Sequence, residues 1–106
     1  MKERRQFARF NIPLPVRLES LSLNDKKVLD LITRDISYSG TFITTLSSFP
    51  EGTRFIMDFT IPGDNLKEFK DIDSLKGCRG SMVRSTHHGV GIQFDKECRI
   101  NGLKSL

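Results

Sequence analysis

The sequence predicts an all-β domain, a six-stranded antiparallel β-barrel that follows an N-terminal arm. Six short segments rich in apolar and β-branched residues are separated by turn sequences such as NDKK, FPEGTR, PGDN and THHG. No long amphipathic helical pattern interrupts them. A chain of 106 residues fits one domain with its own core. We expect the sheet to close, because closure removes exposed edges.

The N-terminal segment carries most of the excess positive charge. Residues 1–18 contain five basic side chains and one acidic side chain, whereas the remainder is close to neutral. The net charge of +4, and with it the pI of about 9.3, therefore comes mainly from one end of the chain. Residues 1–11 show no apolar period, so we expect a flexible arm there and the barrel domain at residues 12–106.

The predicted strands follow from alternation and from turn signals. Apolar residues occupy every second position from Ile12 to Leu18 and again from Phe55 to Ile61, which predicts one buried face for each strand. Gly80 interrupts the fifth strand and predicts a bulge or a close approach of two backbones. The polar tail after Asp95 is compatible with a short C-terminal helix. The strands are predicted at residues 12–20, 28–34, 41–46, 55–61, 78–85 and 89–94, with a weak helical pattern at 65–75.

The arginines of the stretch RRQFAR can converge on one ligand. Arg5 and Arg9 are four residues apart, which places them on the same side of either a helix or an extended segment. Guanidinium groups match phosphate oxygens and the O6/N7 edge of guanine, and they also stack on purines. From arginine content alone, a solvated basic terminus is the simpler interpretation.

The stretch DISYSG supplies hydrogen-bond acceptors that the arginines lack. Taken alone, Asp35, Ser37 and Gly40 predict a structural loop in which Gly40 adopts positive φ. Toward a guanine nucleotide, the carboxylate accepts from guanine N1–H and N2–H, and the hydroxyl donates to a phosphate. The glycine lets the ligand approach the backbone. The two stretches together describe a basic site that reads guanine.

These motifs resemble those of the PilZ domain family. RRQFAR matches its RxxxR motif and DISYSG matches its [D/N]xSxxG motif, while MVRS and GVGIQF resemble the later strands. The resemblance covers roughly residues 4–95 and implies a six-stranded barrel that binds the bacterial second messenger cyclic di-GMP. It assigns Arg5 and Arg9 to phosphate and guanine contacts.

The resemblance also implies the rest of the pocket. Asp35, Ser37 and Gly40 complete it on the barrel surface. Arg4 is similar to the extra arginine of members that bind an intercalated ligand dimer, and Arg84 lies where such domains offer another polar contact.

We therefore expect a single-domain cyclic di-GMP receptor in the bacterial cytoplasm. The ligand orders the arm against the barrel, and the changed surface signals to an effector protein. No catalytic activity and no cofactor are expected. Neither is membrane insertion, since the chain has no run of 18 apolar residues and no secretory signal.

Two other functions fit the composition. Small basic β-barrels bind single-stranded RNA through exposed aromatic side chains. Here Tyr38 is the only obvious exposed aromatic side chain, which disfavours nucleic acid as a partner. The other alternative is a PilZ-like protein-interaction module that binds no nucleotide.

The remaining reactive side chains do not form a site in the sequence. Cys78 and Cys98 are interpreted as reduced core thiols, because neither belongs to a CxxC pair. His87 and His88 are adjacent, so their side chains diverge in a strand, and no metal site is expected.

Overall fold

The computed structural model describes residues 9–21, 27–61 and 75–98. Within these ranges, seven antiparallel β-strands form a single sheet, and a 3-10 turn follows the last strand. The elements are β1 (Arg9–Phe10), β2 (Pro15–Ser20), β3 (Val28–Ser37), β4 (Gly40–Thr44), β5 (Arg54–Phe59), β6 (Cys78–Ser85), β7 (Gly89–Phe94) and the turn Lys96–Cys98. The helical pattern at 65–75 lies outside the described residues except for Leu75.

The sheet closes into the predicted antiparallel barrel. Its strand order is β1-β3-β2-β5-β6-β7-β4, and an additional pairing between β3 and β4 joins the two ends. Strands β2 to β7 therefore form a six-stranded barrel, with β1 outside it against β3. The ten residues of β3 make closure possible, because its first half pairs with β2 and its second half pairs with β4.

Alternating apolar residues fill the barrel as the sequence predicts. On β2 and the residue just before it, the buried side chains are those of Leu14, Val16 and Leu18. On the paired strand β5, every second side chain is likewise buried. Phe59 and Phe94 meet edge to face with ring centroids 6.1 Å apart. The core cluster comprises Leu14, Val16, Leu18, Ile36, Ile43, Phe55, Met57, Phe59, Leu75, Cys78, Met82, Val90, Ile92 and Phe94.

The stretch DISYSG is mostly strand, and the prediction of a loop there is wrong. Asp35–Ser37 ends β3 and Gly40 begins β4, so only residues 38 and 39 form the turn. The backbone pairs with β1 on one side, where Arg9 lies opposite Ser37, and with β4 on the other. Pairing on both sides overrides the low strand propensity of these polar residues.

A buried threonine fixes the path of the chain between β1 and β2. The Thr33 hydroxyl accepts from the Leu14 N–H at 2.9 Å and donates to the Ile12 carbonyl at 2.7 Å. The Thr33 N–H donates to the Leu14 carbonyl at 2.9 Å. These bonds anchor residues 12–14 on β3, and β1 directly precedes them.

Glycines allow β4, β6 and β7 to pack closely. A Cβ at Gly40 or Gly89 would collide with the carbonyl oxygen of Ile92 or Ile43, respectively. A Cβ at Gly80 would lie 2.5 Å from the Gln93 carbonyl oxygen, which confirms the predicted close approach. The predicted positive φ at Gly40 is wrong, because only Gly52 and Gly77 have it among the described glycines. A glycine is required at position 40 because the Ile92 carbonyl oxygen leaves no space for a side chain.

Replacing Gly89 by alanine is expected to destabilise the barrel. The new Cβ would contact the Ile43 backbone and the Phe42 ring, and overpacking of this kind costs about 1–3 kcal/mol. Gly91→Ala is the matched control, because its Cβ would meet its nearest atoms at 3.6 to 3.8 Å, which is ordinary contact. Urea unfolding of both variants checks this, and equal stabilities would contradict the packing argument.

The two cysteines are expected to differ in reactivity. Burial raises the pKa of the Cys78 thiol to about 12, so it stays protonated at neutral pH. The sulfur of Cys98 is only partly buried and accepts a hydrogen bond from the Arg79 N–H at 3.2 Å. Iodoacetamide at about pH 8 should therefore label Cys98 in the native protein and both thiols in denaturant. Mass spectrometry reads the sites, and rapid native labelling of Cys78 would contradict the prediction.

Candidate functional site

Arg9 and Asp35 meet on the outer wall of the barrel. The Arg9 Nη1 donates to Asp35 Oδ1 at 3.0 Å, across 26 residues of chain. The Asp35 side chain is 6% exposed and that of Arg9 is 35% exposed. Pairing of β1 with β3 places Arg9 beside the end of β3 that carries Asp35. Arg9, the last residue of the RRQFAR stretch, therefore meets the DISYSG stretch through this ion pair.

The other oxygen of Asp35 is held less tightly. Asp35 Oδ2 lies 3.6 Å from Arg34 Nε, which is longer than a hydrogen bond. The backbone carbonyl of Asp35 accepts from the Thr41 hydroxyl at 2.6 Å, so the main chain here is fixed to β4. Asp35 thus has a rigid backbone and one carboxylate oxygen able to accept from a ligand.

Ser37 and Gly40 line a cleft beside this ion pair. The cleft has a volume of about 350 Å³, and Arg9 and Arg84 also line it. The Ser37 hydroxyl donates to the Gly40 carbonyl at 3.4 Å, a weak bond that a ligand oxygen can replace. A second cleft, lined by Arg9, Asn11, Arg34, Asp35 and Arg84, shares Arg9 and Arg84 with the first.

A β-bulge in β3 brings Arg34 to the same face as Asp35. The register with β4 shifts between Thr33 and Asp35, so Arg34 is an extra residue on its strand. Asp35 lies opposite Phe42, and the Arg34 guanidinium carbon lies 4.0 Å from the centroid of the Phe42 ring. The bulge therefore places two successive side chains beside one aromatic ring.

A second bulge, in β6, brings Arg84 to the same ring. The register with β7 shifts between Met82 and Arg84, which leaves Arg84 opposite Gly91. Gly91 is itself paired with Phe42. The Arg84 guanidinium carbon lies 5.5 Å from the centroid of the Phe42 ring, within the range of a cation–π contact.

Phe42 is buried outside the main core cluster. Its exposed fraction is 1%, yet it lines the cleft and is not part of the core cluster. Its ring lies against β7, where Gly89 leaves room for it, because a Cβ at that position would lie 2.8 Å from the ring. Arg34 from β3 and Arg84 from β6 cover the ring.

The cleft is electropositive. The second cleft is lined by three arginines and one carboxylate, which leaves an excess of two positive charges. These residues are Arg9, Arg34, Arg84 and Asp35. Guanidinium groups that are stacked or ion-paired keep unused N–H donors, so they can bind an anion. A dianionic ligand matches this charge.

The structure brings together five of the seven predicted site residues. Arg4 and Arg5 lie outside the described residues. Arg9, Asp35, Ser37, Gly40 and Arg84 lie on the two clefts. That they bind a ligand stays a prediction.

Sequence reasoning missed Arg34 and Phe42. Arg34 directly precedes the DISYSG stretch, and Phe42 follows Gly40 by two residues. In a regular strand Arg34 and Asp35 would point to opposite faces, so alternation alone predicts that they are separated. Only the observed bulge unites them.

Tyr38 does not offer the exposed stacking surface that RNA binding would use. It is partly buried and packs against the core cluster. The outward-facing ring of Phe42 is covered by arginine side chains. These two observations weigh against the single-stranded RNA alternative.

The other reactive side chains form no site in the described ranges. His87 and His88 are exposed at the turn between β6 and β7, and Cys78 and Cys98 are thiols that form no disulfide. Among residues 9–21, 27–61 and 75–98, no three His, Cys, Asp or Glu side chains are grouped to hold a metal ion. No helix in the same ranges has the length and hydrophobicity needed to cross a bilayer.

Comparison with known proteins identifies the family. A search of curated proteins finds no match. The family model described as PilZ domain matches residues 3–103, which is nearly the whole chain. The chain therefore belongs to the PilZ domain family, whose domains are cyclic di-GMP-binding or adaptor modules.

Proposed function

We propose that the protein is a receptor for cyclic di-GMP that signals through a protein partner. The contact between Arg9 and Asp35 carries the proposal, because it joins the two sequence motifs at the edge of an electropositive cleft. Membership of the PilZ family supports the identity of the ligand.

The chemistry of the cleft suits this ligand. Cyclic di-GMP carries two phosphate charges and two guanine bases, and the cleft has an excess of two positive charges. The bond to Asp35 uses one of the five N–H donors of Arg9, and a guanidinium can bind a phosphate or the O6/N7 edge of guanine through the others. Asp35 Oδ2 accepts from the guanine N1–H or N2–H, which sets the preference for guanine.

Arg5 and Arg4 complete the proposed site from the N-terminal segment. Arg5 binds the same ligand as Arg9, with which it shares the RxxxR spacing. Arg4 contacts a second, intercalated copy of the ligand. Each residue that ligand binding fixes costs about 1–2 kcal/mol, and charge-assisted hydrogen bonds of roughly 1.5–3 kcal/mol each offset this cost.

Ligand binding creates the signal by changing one surface. The N-terminal segment and the outer wall of the barrel together present a new face to an effector protein. The protein then acts as an adaptor, without chemistry of its own.

Cyclic di-GMP should raise the thermal stability of the protein, whereas GMP should not. A ligand present at about one hundred times its dissociation constant adds about 2.7 kcal/mol of stability when it binds only the folded state. Differential scanning fluorimetry measures the shift, and titration calorimetry gives the number of ligands bound. An unchanged melting temperature at millimolar cyclic di-GMP would refute the receptor function.

Arg9→Ala should weaken binding of cyclic di-GMP by about tenfold or more, because it removes charge-assisted hydrogen bonds. Asp35→Ala should reduce the preference for cyclic di-GMP over cyclic di-AMP. Arg17→Ala is the matched control, since Arg17 is an exposed arginine paired with Asp30 at 3.4 Å, away from the cleft. Calorimetry on folded variants checks both effects. Wild-type affinity in Arg9→Ala would show that the site lies elsewhere.

A further inference from the structure

Two irregularities of the barrel converge on one pair of residues. The bulge in β3 and the bulge in β6 lie on either side of the paired residues Phe42 and Gly91. Each bulge turns one arginine toward the Phe42 ring, Arg34 from β3 and Arg84 from β6. Bulges that re-aim side chains are enriched beside functional sites.

The Phe42 ring holds Arg34 without consuming its hydrogen-bond donors. The guanidinium carbon lies 4.0 Å from the ring centroid, and Nε is 3.6 Å from Asp35 Oδ2. Both contacts are electrostatic and neither is a hydrogen bond, so neither of them occupies the N–H donors of the planar guanidinium. The Arg34 side chain is 55% exposed, so a ligand in the cleft can reach it.

We infer that Arg34 is a further ligand-binding residue that grips a phosphate of the nucleotide, and that Phe42 positions it. Arg34 lines the cleft with Arg9 and Arg84, and three guanidiniums surround the place where an anion would lie. A planar guanidinium held over a ring is pre-organised, so little side-chain entropy is lost when it binds phosphate. Arg34 belongs to neither sequence motif.

Asp35 holds two of the three arginines together and leaves a net positive charge. Its carboxylate lies between Arg9 at 3.0 Å and Arg34 at 3.6 Å. A single buried carboxylate keeps two arginines near each other but cannot neutralise both. A bound phosphate would neutralise the arginine charge that Asp35 leaves unpaired. This inference rests on the proposed function, because cyclic di-GMP is the ligand of its test.

The test measures cyclic di-GMP binding to the full chain by titration calorimetry. Arg34→Gln should weaken binding by about tenfold or more, whereas the matched control Arg17→Gln should stay within about twofold. Arg17 and Arg34 are both exposed arginines on a strand, each beside one aspartate. Melting temperatures without ligand should agree between the two variants.

Salt dependence separates a phosphate contact from a structural effect. Raising ionic strength from about 0.05 M to about 0.5 M screens charge pairs, so affinity should fall less steeply in Arg34→Gln than in the wild type. Phe42→Leu should also weaken binding although the charge is unchanged, and Phe42→Tyr, which keeps the ring, should restore most of it.

The outcomes distinguish the two proposals. If the wild type and Arg17→Gln bind and Arg34→Gln binds equally well with the same salt dependence, the inference about Arg34 is overturned and the proposed function stands. If the wild type does not bind, the proposed function fails and this inference fails with it. If Phe42→Leu is unfolded, the binding measured for Arg34→Gln still tests the inference, because Arg34 is exposed.

Discussion

A buried carboxylate on the outer wall of the barrel fixes the side chain of Arg9 in β1. The Asp35 side chain is only 6% exposed, and burying a charge is costly unless it is paired. Arg9 provides the partner at 3.0 Å, and the pairing of β1 with β3 holds Arg9 in place. One interaction thus stabilises Asp35 and brings two distant motifs to one cleft.

Irregular strand pairing completes the site. The outer face of a closed barrel normally presents every second side chain to solvent. Bulges in β3 and β6 break that alternation on both sides of the pair formed by Phe42 and Gly91. Gly89 of β7 makes room for the ring, and the bulges bring arginines over it. Positive charge is therefore concentrated on the part of the outer surface around Phe42.

The sequence allowed prediction of the barrel because alternation is a local property. Apolar residues at every second position identified the buried faces of β2 and β5, and the turn sequences separated the strands. The same reasoning failed at Asp35–Ser37, whose strand conformation depends on pairing with β1 and β4. It also failed for Gly40, which is needed because the Ile92 carbonyl lies where a side chain would be.

By itself, the sequence determined the all-β class, the buried faces and the concentration of arginines near the N-terminus. It also held both motifs by which the resemblance to PilZ domains was detected. The tertiary structure alone decided that Arg34, Phe42 and Arg84 are neighbours, because they belong to three strands whose pairing is non-local. A bulge shifts the register by one residue and so changes which side chains share a face. The alternation of apolar and polar residues along a strand does not reveal where such a bulge occurs.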